Sequence, residues 1–100
     1  MMTLDTKPTS QQLKDRSFWD NLPPDGVEYD GFEYGPHYSV LRDGEPINFV
    51  DDDGTKIMNS FMYELAIVQL EHLSKDHDNI TLKITGFYET LVRRDEYSAA

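Results

Sequence analysis

The chain contains no cysteine. That excludes a disulfide scaffold, a thiolate-ligated zinc site and thiol chemistry, and it fits a reducing compartment. Basic residues are scarce: nine Lys and Arg stand against 19 Asp and Glu, a net charge of −10. A chain with so little positive charge repels nucleic acid and anionic membrane, because binding either needs a basic footprint. Long apolar runs are missing too. The most apolar helical stretch, Ile57 to Leu73, is broken by Asn59, Ser60, Glu64, Gln69, Glu71 and His72, so it cannot span a bilayer. The first ten residues are polar and lack the apolar centre of a secretion signal. The Asn79-Ile80-Thr81 sequon is therefore expected to be idle, and the expected location is the cytoplasm. No internal repeat and no low-complexity tract is present.

What the chain does have is one domain's worth of residues, 38% of them hydrophobic. A single domain over residues 1–100 is expected, with 1–8 and 95–100 flexible. Thr9-Ser10-Gln11-Gln12 has the spacing of a capping box and predicts a short helix from Ser10 to Trp19. Asn21 to Gly26, with two prolines, ends it. Alternating residues about Asp30-Gly31 predict a tight hairpin, closed by Gly35-Pro36. A second hairpin is expected about Asp43-Gly44, from a strand over His37 to Arg42 and a returning strand over Pro46 to Val50.

The strongest periodic signal lies between Lys56 and Ser74. Ile57, Phe61, Leu65 and Val68 form one stripe of a long helix, widened by Met58, Met62, Ala66 and Leu73 and capped by Asp53 or Thr55. Ile80 to Thr85 alternates as a half-buried strand, and Gly86 shifts the phase. A bulged strand continuing to about Val92 is expected, with a short helix over Tyr88 to Arg94 as the competing reading. The expected class is α+β: a small antiparallel sheet packed on one face by one long helix, with a short N-terminal helix. Ile57, Phe61, Leu65, Val68, Ile80, Leu82 and Ile84 are the expected core.

No motif points to catalysis. There is no nucleophile elbow and no glycine-rich phosphate loop, so no catalytic residue, no cofactor and no enzymatic activity is expected. Asp51-Asp52-Asp53-Gly54 suggests calcium, but placing Gly54 sixth in an EF-hand loop makes Phe49 first and Ser60 twelfth, both unsuitable. His72 and His77 are five apart and cannot share one helix face, so no metal is expected there. Met58 and Met62 beside Phe61 fit an adaptable groove, though core packing is the commoner role.

Charge placement is the most informative feature. From Asp20 to Asp53 ten acids face one base, Arg42, a net −9 within one third of the chain. In that segment Tyr29, Phe32, Tyr34 and Tyr38 interleave with Glu28, Asp30 and Glu33, and Asp43 and Glu45 flank the second turn. These nine residues are the expected partner-binding surface, since aromatic rings supply contact area and acids steer a cationic partner. The bland alternative is a small sheet whose aromatics are core and whose acids give solubility. The expected function is a small acidic inhibitor that neutralises a basic, nucleic-acid-binding protein. A phage-type anti-defence protein such as an anti-CRISPR or nucleic-acid mimic would have this composition. A toxin-immunity protein or antitoxin, or an accessory subunit of a larger assembly, are the alternatives, and homo-oligomerisation is compatible with each. No direct contact with nucleic acid or membrane is expected.

Overall fold

The computed structural model describes residues 2–92. The fold is α+β: a five-stranded mixed sheet with all three helices against one face. In chain order the elements are β1 (Met2–Thr3), α1 (Ser10–Leu13), α2 (Arg16–Trp19), β2 (Val27–Tyr29), β3 (Phe32–Arg42), β4 (Glu45–Pro46), β5 (Phe49–Val50), β6 (Lys56–Ile57), α3 (Tyr63–Ser74) and β7 (Ile80–Leu91). β3 is the centre of the sheet. β2 and β4 pair with its two halves along one edge, and β7 runs antiparallel along its whole length on the other. β1 adds to β2 in parallel, and β5 and β6 form a separate small ribbon.

The N-terminal segment is docked rather than loose. Besides the β1 pairing, the Leu4 amide donates to the Glu28 carbonyl at 2.8 Å, and Pro8 is buried. The expected flexibility of 95–100 lies outside the described residues. The capping box forms as its spacing predicts: the Gln12 amide donates to Thr9 Oγ1 at 3.0 Å, and the Thr9 amide donates to the Gln12 side chain at 2.9 Å. The single expected helix is however two turns. Asp15 interrupts it by accepting from the Ser17 amide and hydroxyl, which caps α2 and holds the Asp15 carboxyl below its ordinary range. This tight path places Leu13 and Trp19 together, with the indole N–H donating to the Leu13 carbonyl at 3.0 Å.

Both Asp-Gly turns form as expected. Asp30 and Gly31 have φ of 50° and 82°, Asp43 and Gly44 of 53° and 82°, the left-handed pairs that a two-residue hairpin turn requires. Gly35-Pro36 does not end a strand. The backbones of Tyr38 and Val40 bond to the edge away from β7, to Phe61 and the Asn59 side chain. Pro36 has the same parity, so its missing N–H faces that edge too and removes no bond to β7. β7 is the expected bulged strand: His37 faces Gly86 but Tyr38 faces Ile84, leaving Thr85 as the extra residue. The rival helix over Tyr88 to Arg94 is absent as far as Leu91.

The region after the second hairpin departs most from expectation. The returning strand is only Glu45–Pro46, and Lys56 and Ile57 are strand, not helix. Asp51 Oδ1 accepts from the Asp53 and Thr55 amides, both at 2.9 Å, so the acidic triplet closes the β5–β6 turn and caps no helix. Asn59 then ties its own segment to the backbone of Val40 and Ile47. Its amide group accepts from the Val40 N–H at 2.8 Å and donates to the Val40 and Ile47 carbonyls at 2.9 Å. Phe61 exchanges backbone bonds with Tyr38, which keeps the chain extended and delays α3 to Tyr63.

The core lies between the helices and one sheet face. Leu13, Trp19, Val27 and Tyr34 form its centre, with Leu4, Phe18, Leu22, Ile84 and Phe87 against them; Val40 and Ala66 are also buried. Each of the larger side chains contributes about 1.5–3 kcal/mol by leaving water. Several expected core residues are elsewhere. Leu65 and Val68 are 57% and 56% exposed and Ile57 also faces solvent, because α3 turns Tyr63, Ile67 and Leu70 inward together with Ala66, which alone of the widened stripe is fully buried. Phe61, Ile80, Leu82 and Ile84 are half-buried.

Candidate functional site

Alternation along β3 sorts the aromatics and acids of the acidic segment onto two faces. Tyr34 and Tyr38 point toward the helices. Tyr34 is 2% exposed, part of the core, and therefore offers no contact area; this corrects its assignment to the binding surface. Tyr38 is half-buried, its ring 5.8 Å from that of Tyr63 and its hydroxyl donating to the Pro24 carbonyl at 3.4 Å. Burial raises the pKa of both phenols, that of Tyr34 further by the nearby Glu89 carboxylate and that of Tyr38 by Tyr63.

Glu33 occupies the opposite, open face. Directly across from it lies Glu28, and Tyr29 faces Phe32 one step nearer the turn. Tyr88 of β7 completes this group. Its hydroxyl is 2.6 Å from Glu33 Oε2 and 2.8 Å from the Asp25 carbonyl oxygen, so one phenolic proton faces two acceptors. Burial, then the Glu33 carboxylate, pushes the Tyr88 pKa well above its ordinary value. The ring of His37 lies 5.5 Å from that of Tyr88. Along the first hairpin, then, stand Asp25, Glu28, Asp30 and Glu33, while Tyr29, packed against the core, and Phe32, at the surface, share the other face with Tyr34.

Asp43 and Glu45 are not part of this group. They lie at the far end of β3, eleven residues away. At about 3.3 Å per residue the two turns are roughly 35 Å apart. Asp43 is tied to the loop before β7: it accepts from the Asn79 side chain at 3.0 Å, and its amide donates to the Asn79 carbonyl at 3.1 Å. Glu45 sits across from Arg42 in the β3–β4 pair. The nine expected residues thus divide into one acidic hairpin, one buried tyrosine, one half-buried tyrosine and one distant turn. Asp25 and Tyr88 join the hairpin without having been anticipated. No local signal marks them, since Tyr88 reaches Glu33 only through the pairing of β3 with β7.

Two hollows open on the surface. One, of about 510 Å³, is bordered by Pro46, Ile47, Asn48 and the β6 ribbon. The other is a cleft of about 800 Å³ between the N-terminal turns and α3, along β7. No group of three His, Cys, Asp or Glu residues is arranged to hold a metal ion among the described residues. None of their helices is long and apolar enough to cross a membrane. No protein-family model, no curated protein and no solved structure matches the chain, so the acidic hairpin and the β7 cleft stand as its candidate sites on their own geometry.

Proposed function

We propose that this chain is a non-enzymatic, cytoplasmic binding protein whose acidic first hairpin neutralises a basic, nucleic-acid-binding protein. The observation that carries the reading is the gathering of Asp25, Glu28, Asp30 and Glu33 along one short hairpin, with Phe32 exposed near its turn on the other face. Spaced carboxylates on a rigid strand pair imitate a phosphate backbone, raise the association rate with a cationic groove, and make it salt-sensitive. The exposed ring of Phe32 near the turn adds apolar contact that charge alone lacks. An anti-defence inhibitor and a toxin-immunity protein use this same physics against different targets.

The exposed Leu65 and Val68 on α3, with Ile57, Met58 and Met62 ahead of it, favour a second reading, an accessory subunit that buries this patch in an assembly. Two charge reversals separate the readings. Glu28→Lys with Asp30→Lys leaves the Tyr88 contact of Glu33 in place and should abolish capture of a basic partner. Reversal of Glu64, Glu71 and Asp76 about α3 should leave capture intact. If only the α3 set abolishes capture, and bound partner resists high salt, the hairpin reading is wrong.

A further inference from the structure

β7 contributes residues 80–84 without interruption to the lining of the cleft beside it. A strand seen from one face shows every second residue; five in a row are seen only from its edge. That edge is open. Thr81 and Lys83 face Leu41 and Ser39 and are turned toward β3, so Ile80, Leu82 and Ile84 turn their N–H and C=O groups the other way. None of these outward groups has a hydrogen-bond partner among the described residues. A row of unpaired backbone donors and acceptors is a template for another strand.

The surroundings of that edge define what strand would fit. Trp19, Tyr38 and Leu70 form apolar walls beside the side chains of Leu82 and Ile84. Lys14, Arg16 and Lys83 border the cleft against a single carboxylate, Asp20. These three cations form no ion pair among the described residues. In a chain of net charge −10, the cleft is thus a local reversal of sign.

We infer that the cleft along β7 takes an extended acidic peptide, which adds as a sixth strand to the sheet. Its backbone pairs with Ile80, Leu82 and Ile84, its alternate apolar side chains enter between Trp19 and Leu70, its intervening carboxylates meet Lys83 on the strand's other face, and a carboxylate at the cleft's rim meets Lys14 and Arg16. Main-chain bonds and alternating pockets are the general means by which sheet edges bind peptides. The site lies apart from the acidic hairpin and does not depend on the role proposed for it.

Trp19 is the only tryptophan and lines the cleft, so its fluorescence reports occupancy. The probes are a capped hexapeptide alternating Glu and Val, its Lys–Val counterpart, the Glu–Val peptide with alternate amides N-methylated, and decanoate. The Glu–Val peptide should change Trp19 emission saturably and shift the amide resonances of Leu82 and Ile84. The N-methylated and Lys–Val peptides should not. Combined Lys14→Glu, Arg16→Glu and Lys83→Glu should weaken binding about tenfold, the sum of three rim contacts. Salt titration on the unaltered chain gives the same reading should that variant not fold. Decanoate or the N-methylated peptide binding as well as Glu–Val would show that no strand edge is used and overturn the proposal. Equal binding of Lys–Val, or no shift at Leu82 and Ile84 with any peptide, would overturn it equally.

Discussion

The ring of Tyr88 lies flat over Gly35, its partner across the β3–β7 pair, so closely that a Cβ on residue 35 would stand 2.3 Å from Cε1 of the ring. Only hydrogen fits there. The ring in turn covers backbone that glycine leaves bare and delivers its hydroxyl to Glu33. Gly35→Ala should therefore destabilise the chain by about 1–3 kcal/mol, the usual consequence of overfilling a packed position. Urea denaturation measures it. In a Tyr88→Ala background the same alanine should be nearly neutral, and an equal loss in both backgrounds would contradict the contact.

Two leucines separate the observed core from the one that periodicity suggests. Leu13 is 1% exposed and Leu65 is 57% exposed. Leu13→Ala should lower stability by about 2–5 kcal/mol. Leu65→Ala should change it by no more than about 0.5 kcal/mol in the free chain, as surface substitutions do. Thermal or chemical melts of the two variants, side by side, decide the matter.

That difference shows what was legible in the sequence and what was not. The Asp30-Gly31 and Asp43-Gly44 turns were legible because their backbone angles demand those residue types, and the capping box because its bonds are local. The bulge at Thr85 was legible from the phase shift at Gly86. α3 was legible as a helix but not in its facing. Apolar residues lie on both of its sides, so a period of 3.6 fixes the helix without fixing which side meets the sheet. Its start was hidden as well, because Phe61 is held in extended form by Tyr38, a residue from another element. The acidic charge of the candidate site could be read directly. Its division between two ends of β3 could not, because Gly35-Pro36 resembles a stop and the edge that tolerates Pro36 is set by tertiary pairing.

Asn59 predicts a further vulnerability. Its side chain makes three hydrogen bonds to the backbone of Val40 and Ile47. Asn59→Ala should destabilise by about 2–4 kcal/mol, more than one bond is worth, since the N–H of the buried Val40 is left without a partner. Asn59→Asp should be worse at neutral pH, because it sets a carboxylate against two carbonyl oxygens. Equilibrium unfolding of both variants gives the order.

The tyrosines predict a response to alkali. Tyr34, Tyr38 and Tyr88 have pKa values raised by folding, chiefly through burial. The folded state then holds these protons more tightly than the unfolded state does. The stability they contribute is complete below the ordinary phenol value near 10 and is lost as pH rises above it. Absorbance of phenolate during a pH titration should show these tyrosines ionising late, together with loss of circular dichroism. Ionisation of all six tyrosines near pH 10 in a chain that stays folded would contradict this.

The pairing of β3 with β7 has a consequence for biosynthesis. Arg42 meets Ile80 and Phe32 meets Leu91, so the central strand waits for distant sequence before its second edge is covered. At about 5–20 residues per second, the roughly fifty residues from Arg42 to Leu91 take about 2.5–10 s to make. Throughout that interval an eleven-residue strand is exposed on the nascent chain with half its backbone unpaired. The surplus of negative charge in the same segment opposes edge-to-edge pairing of two such unfinished strands, because like charges repel.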